Sequence, residues 1–177
     1  KSVAGSLADL MGREPEPPDW REDMHRGLAV ISSRADSLAR FVESYSKLAR
    51  LPPPRLEPLK IGTLVSRVAS LETRLPVRIV SGPDVEVKGD DVQLEQLLIN
   101  LVRNAADASM ETRGGVEVGW RQRNGQVEVW ISDEGLGIAN TANLFVPFFT
   151  TKATGSGIGL VLSRQIAEAH GGTLTLE

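Results

Sequence analysis

A helical hairpin followed by an α+β two-layer sandwich, with helices on one face of a mixed sheet, is the fold predicted by three features of this 177-residue sequence. A heptad stripe of apolar residues runs up to residue 49. Four prolines, Pro52, Pro53, Pro54 and Pro58, then interrupt the chain. Beyond them, short segments of period two are interspersed with longer segments of helical period, and one antiparallel hairpin signal lies among them.

The stripe consists of Met24, Leu28, Ile31, Ala35, Leu38, Val42, Tyr45 and Ala49, spaced by alternating fours and threes, which is coiled-coil or helix-bundle spacing. Residues 1–11 have helix-like composition, and 12–19, with Pro15, Pro17 and Pro18, form a turn. The resulting hairpin carries a stripe too long to bury against so short a first helix. A first helix that is truncated here, a second chain completing a four-helix bundle, or both, resolve the mismatch. Residues 1–51 are therefore assigned to this hairpin, 52–58 to a stiff proline-rich linker and 59–177 to a second domain.

In that domain 61–71 reads as a short amphipathic helix, and 77–80 and 85–88 alternate as strands do. Residues 92–110 make a long, strongly apolar helix. Two further strands, 116–120 and 127–131, flank Asn124-Gly125, the strongest short hairpin signal. A helix over 158–169 is stopped by Gly171-Gly172, and 173–176 begin a strand.

Composition narrows the function. With 41% hydrophobic residues and a net charge of −3, the chain has a core but no basic footprint for nucleic acid. No apolar run approaches the roughly 20 residues that span a bilayer, and no leader is recognisable, so a membrane is expected to be reached only through other parts of a parent protein. The absence of cysteine excludes disulfides and thiolate metal sites and fits a cytoplasmic setting.

Candidate chemistry concentrates in two places. On the 92–110 helix, Gln93, Gln96, Asn100, Asn104 and Asp107 form a polar stripe. A solvated edge is the ordinary explanation of such a stripe. Two asparagines one turn apart are, however, poor helix formers for plain exposure, and their amide oxygens suit Mg²⁺ shared with phosphate. Further on, Asp133-Glu134-Gly135-Leu136-Gly137 at a strand end and Gly155-Ser156-Gly157-Ile158-Gly159 at a helix start enclose Lys152. Each box alone is an ordinary turn or loop. Together they suggest a nucleotide site, with phosphate oxygens received by the helix N-terminus. The second box has neither the Walker nor the dinucleotide spacing.

Taken in order, these segments resemble the catalytic domain of sensor histidine kinases, within the Bergerat-fold ATP-binding superfamily. Leu97-Leu98-Ile99-Asn100-Leu101-Val102-Arg103-Asn104-Ala105 is similar to the family's N box, and Asp133-Glu134-Gly135-Leu136-Gly137-Ile138 to its first glycine box. Phe145-Val146-Pro147-Phe148-Phe149-Thr150-Thr151-Lys152 resembles the F box, and Gly155-Ser156-Gly157-Ile158-Gly159-Leu160 the second glycine box. The short 139–154 stretch corresponds to the ATP lid, and the whole looks most like the nitrogen-regulation type.

The resemblance implies a protein-histidine kinase that uses ATP and Mg²⁺. Asn104 would hold Mg²⁺ through the ATP phosphates, with Asn100 nearby, and Asp133 would read adenine. The nucleotide would also be bordered by Gly135, Gly137, Phe149, Thr151, Lys152, Gly155, Gly157, Gly159 and Leu160, with Phe148 and Phe149 anchoring the lid. A homodimer through the hairpin and a response-regulator receiver domain are the implied partners. Many kinases of other subfamilies carry a basic residue where Asp107 stands, so a phosphate contact from that position is not expected here; Arg103 is the candidate substitute, although one residue along the helix turns it about 100° away.

The superfamily's hydrolases carry a glutamate one turn before the magnesium asparagine, and here that position is Asn100. An amide is no general base, so transfer to histidine is expected over hydrolysis. Neither His25 nor His170 sits in an acceptor-like segment, and His170 is expected to cap a helix. The acceptor is therefore expected outside this sequence. A nucleotide-binding pseudokinase scaffold and a Bergerat-fold ATPase are the alternatives.

Overall fold

The computed structural model describes residues 2–11, 19–49, 51–137, 143–150, 152 and 155–176, without the side chains at 37, 40, 41, 43–45 and 47–49. Most of the expected 12–19 turn, the side chains of Tyr45 and Ala49 of the stripe, Ile138 of the first glycine box, Thr151 and parts of the lid stretch lie outside these. The chain divides into two units, Lys1–Ser46 and Lys47–Glu177.

The first unit holds α1 (Val3–Met11) and the greater part of α2 (Trp20–Ala49). Leu7 of α1 packs on Gly27 of α2 so closely that a Cβ there would come within 2.5 Å of the Leu7 side chain. The heptad stripe is largely open to water: Leu28, Leu38 and Val42 are more than half exposed. Among the described residues no helix is long and apolar enough to cross a membrane.

The second unit continues with β1 (Glu57–Lys60), α3 (Ile61–Leu71), β2 (Val77–Val80), β3 (Glu86–Gly89), α4 (Asp91–Thr112), β4 (Val116–Arg123), β5 (Gln126–Asp133) and α5 (Gly159–Ala169). Strand β4 is central, parallel to β2 and antiparallel to β5, so the sheet is mixed as expected. Strands β1 and β3 form a separate antiparallel pair. Pro58, expected in the linker, lies in β1; a strand of a two-stranded ribbon has an unpaired side, which spares proline's missing N–H. At the β4–β5 turn both Asn124 and Gly125 have positive φ, 52° and 77°, as a type I′ hairpin requires.

Helices α3, α4 and α5 share one core with the sheet. Leu64, Val65 and Val68 of α3, Leu97, Leu98 and Val102 of α4, and Ile166 of α5 are buried against Val118 and Trp120 of β4. Burying each such side chain contributes about 1.5–3 kcal/mol. The Trp120 indole N–H donates to the Pro83 carbonyl at 2.8 Å, which satisfies its one polar atom in the core. Residues 173–176, expected as a strand, make no strand pairing among the described residues. A strand exists only through its ladder; Leu174 nonetheless packs on the core.

Asp90 joins α4 to the rest of the unit. As the helix N-cap, its carboxylate accepts from the Gln93 N–H at 3.1 Å and from the Arg55 N–H at 2.9 Å. Its own N–H donates to His170 Nε2 at 3.0 Å, while His170 Nδ1 lies 2.8 Å from the Ile166 carbonyl. These contacts fix the His170 tautomer with its proton on Nδ1 and occupy both ring nitrogens. His170 is also the C-cap residue of α5, in the structural role expected for it. The Arg55 and Gln93 N–H groups hold the Asp90 carboxyl below the usual carboxylate range. A depressed carboxyl stabilises the fold fully above its unfolded pKa, and that contribution is lost as pH falls through the lower folded value. Asp90→Ala should therefore cost about 1–2 kcal/mol near neutrality. The gap to the parent protein should narrow as pH drops below about 4, as urea unfolding over a pH series would measure.

Candidate nucleotide site

One line along α4 organises the site. Asn100, Asn104 and Ala108 are spaced by four residues, so they lie on one helix face and span about 12 Å. Each meets a different part of the chain. Asn100 lies under Gly159, whose added Cβ would stand 3.8 Å from the Asn100 amide carbon. Asn104 Oδ1 is 3.4 Å from Lys152 Nζ. Ala108 faces Gly135, where a Cβ would come within 2.6 Å of the Ala108 methyl.

Asp133 is placed by a knot at the far end of that line. Buried Ser109 donates to the Gly115 carbonyl at 2.8 Å and accepts from the Glu134 N–H at 3.3 Å. Thr112 donates to the Glu134 carbonyl at 2.7 Å, and the Glu134 carboxylate accepts from the Gly115 N–H at 2.8 Å. The end of β5 is thereby tied to the end of α4. Exposed Asp133 accepts from the Gly135 N–H at 2.9 Å, which folds the turn back toward Ala108. Gly137 follows with φ of 74°, and none of the described residues comes within 4 Å of where its Cβ would stand.

The second glycine box lies against the F-box segment. The Phe148 N–H donates to the Gly157 carbonyl at 3.0 Å, and Gly157 has φ of 67°. A Cβ at Gly157 would sit 2.5 Å from the Phe148 carbonyl carbon, so glycine is required both by the backbone angle and by the approach. Gly155 N–H donates to the Lys152 carbonyl and Lys152 N–H to the Thr150 hydroxyl, each at 3.1 Å. Helix α5 starts after Ile158 with no side chain capping it. Its first turn begins at Gly159, beside Asn100, and the first-turn N–H groups of a helix, here including those of Gly159 and Leu160, suit an anion. Phe148 and Phe149 are 37% and 44% exposed; it is half-buried Phe145 that meets α5, with the Arg164 guanidinium 4.9 Å from its ring centre.

Charge at the site is arranged around Asp107. Its Oδ2 accepts from Lys152 Nζ and its Oδ1 from Arg74 Nη1, both at 2.5 Å. Arg74 also pairs with Glu72 at 2.6 Å. Partial burial pushes the Asp107 carboxyl up, but the hydrogen bonds and charges of Lys152 and Arg74 together outweigh it and hold it below the usual range. Arg74 was not legible as a site residue. Arg103, the suggested substitute cation, instead lines a hollow with Val68, Leu71 and Glu72. Gln93 also leaves the polar stripe: it is buried and donates to the Pro52 carbonyl at 2.9 Å.

The donor set fits a magnesium nucleotide. Neutral amide oxygens, one cationic side chain and an uncapped helix start occupy one end of the line, and a carboxylate in a glycine turn the other. Among the described residues no group of three or more His, Cys, Asp or Glu is arranged to hold a metal; the Asn104 amide oxygen would hold Mg²⁺ together with oxygens of a bound nucleotide. Gly157→Ala should lower stability by about 1–3 kcal/mol and displace Phe148, whereas Gly137→Ala, equally strained in φ but unobstructed, should cost less. Thermal unfolding of both variants checks the difference.

Residues 89–177 match the family described as histidine kinase-, DNA gyrase B- and HSP90-like ATPase. Sensor protein FixL of Bradyrhizobium diazoefficiens is 38% identical to this chain, with 86% of the chain and 29% of the relative covered. C4-dicarboxylate transport sensor protein DctB of Rhizobium meliloti is 36% identical, with 83% and 24% covered. The chain thus spans less than a third of either relative. Among solved structures, a mycobacterial sensor histidine kinase, MprB, is 29% identical at a TM-score of 0.60, covering 66% of this chain and 81% of that one. The catalytic domain of histidine kinase ThkA is 28% identical at 0.58, covering 66% and 82%. ThkA in complex with response regulator TrrA shares the fold over 96% of this chain and 50% of that one, at 22% identity and a TM-score of 0.61. The match over residues 89–177, half the sequence, shows that the chain belongs to the histidine kinase-, DNA gyrase B- and HSP90-like ATPase family.

Proposed function

We propose that this region binds ATP with Mg²⁺ along α4 and orients the γ-phosphate for transfer to a histidine of the dimerisation helix, for relay to an aspartate of a response-regulator receiver domain. The observation that carries this reading is the line Asn100, Asn104 and Ala108, which gathers Gly159, Lys152 and the Asp133 turn on one helix face. Bound Mg²⁺ supplies charge neutralisation for the phosphates. Asn104 offers it an oxygen ligand, with Asn100 beside. Asp133 accepts the exocyclic amine of adenine over the Gly135–Gly137 turn, and Phe149 borders the nucleotide. Lys152, Thr151 and the amides of Gly157, Gly159 and Leu160 hold phosphate oxygens, with Gly155 bordering them. The catalytic contribution is positional, aligning the phosphate with an imidazole that needs little activation.

Transfer is favoured over hydrolysis by what surrounds Asn104. Asn100 accepts from the Gln96 amide at 3.2 Å and cannot take a proton from water. Asp107, one turn on the other side, is held by two cations and is a weak base. Neither histidine serves as acceptor in this reading: His170 has both ring nitrogens engaged, and His25 lies at the start of α2, away from any acceptor-like segment. The acceptor is assigned to sequence outside this chain. Residues 1–51 belong to the dimerisation hairpin, 52–58 link it onward with Glu57 and Pro58 already in β1, and 59–177 form the ATP-binding domain on the cytoplasmic side. Exposed Leu28, Leu38 and Val42 are the surface a second copy would cover in a four-helix bundle.

Labelled-phosphate transfer from Mg-ATP to a longer protein that includes the upstream acceptor helix tests the proposal. Acid-labile, base-stable label is expected. Asn104→Ala should reduce it about 100-fold or more, and Asp133→Ala should weaken ATP binding roughly 10- to 100-fold. ATP binding without transfer would support a scaffold instead, and phosphate release matched to ATP loss would support an ATPase.

A further inference from the structure

We propose that Asp107 is a positioning residue of the phosphate site: it competes with nucleotide phosphate for Lys152 and so sets how much of the affinity for ATP comes from its phosphates. The inference rests on the reading of Lys152 as a phosphate ligand.

Among the described residues Lys152 has one carboxylate partner, Asp107, at 2.5 Å, and the Asn104 amide oxygen lies at 3.4 Å. Arg74 is held more firmly, by Asp107 at 2.5 Å and by Glu72 at 2.6 and 2.9 Å. Lys152 is therefore the member that leaves when a stronger anion arrives, and Asp107 keeps Arg74 when it does. The Lys152 and Asp107 side chains are 43% and 33% exposed, so their pair is solvated and weak enough for a triphosphate to displace. Arg74 has a second function in this arrangement. By staying on Asp107 it prevents an uncompensated carboxylate from facing the incoming phosphates. The depressed Asp107 carboxyl agrees with this double pairing. A lysine or arginine at this position would add to phosphate affinity; the aspartate subtracts from it by occupying Lys152.

Equilibrium titration of the chain with ATP and with adenosine tests the proposal, using the parent protein, Asp107→Asn, Asp107→Glu, Lys152→Ala and the Asp107→Asn/Lys152→Ala double variant. Asp107→Asn should tighten ATP roughly threefold to tenfold and leave adenosine unchanged, and Asp107→Glu should restore parental binding. In the Lys152→Ala background the Asp107→Asn effect should largely vanish. The idea fails if ATP affinity is unchanged or weaker in Asp107→Asn, or if the tightening persists in full without Lys152. Carboxyl NMR of the parent protein gives a second readout independent of any variant's folding. Saturation with ATP should raise the Asp107 pKa as Lys152 leaves it, and an unmoved titration would also overturn the proposal. A parent protein that bound neither ATP nor adenosine would instead sink the nucleotide reading itself.

Discussion

The site depends on α4 being two surfaces at once. On one side it buries Leu98, Val102, Ala106 and Ser109; roughly a quarter-turn or more away it presents Asn100, Asn104 and Ala108. The first surface fixes the helix against β4 and α5, and that fixes the second as a rigid floor. Residue size matters along it. Ala108 lets the Asp133 turn descend onto the helix at Gly135, and a larger residue at either position would lift the carboxylate away. Ser109, fully buried beside it, donates to the Gly115 carbonyl and shares the Glu134 N–H with that same carbonyl, a tie between β5 and α4.

Much of this was legible because it is local. The α3 segment 61–71 and strand 77–80 lie where their periods put them. The Asn-Gly turn declares itself because those two residues tolerate positive φ. The four-residue recurrence of Asn100 and Asn104 is a statement about one helix and survives into three dimensions. The illegible parts are joined across long loops. Arg74 reaches Asp107 across 33 positions, and Gln93 reaches Pro52 across 41. Nothing in the local pattern separates Gln93 from the polar stripe; only the packing of the α4 start against 51–54 does. The same holds for 173–176, whose alternation is strand-like while ladder formation depends on a partner.

Aromatic placement gives another case of the same limit. Phe145, Phe148 and Phe149 lie within five residues, and composition cannot rank them. Tertiary geometry does, by putting Arg164 of α5 over Phe145. Phe148 instead takes the left-handed backbone angle of 67° that a bulky residue adopts only under constraint. Its N–H is held by Gly157, so the strain at Phe148 and the glycine at 157 are one device that seats the F-box segment beside the start of α5.

The electrostatics then decide what chemistry the arrangement favours. A hydrolase needs a base near the phosphate, free to accept a proton from water. Near Asn104 the described carboxylate is Asp107, and its two oxygens are committed to Lys152 and Arg74. Release of Lys152 to a phosphate would still leave Asp107 on a guanidinium that remains charged at any physiological pH. An asparagine at position 100 and a neutralised aspartate at 107 thus bracket Asn104 with groups that orient but do not deprotonate. Such an arrangement favours a nucleophile that need not lose a proton as it attacks; a neutral imidazole attacks through its unprotonated nitrogen, whereas water must shed a proton to a base.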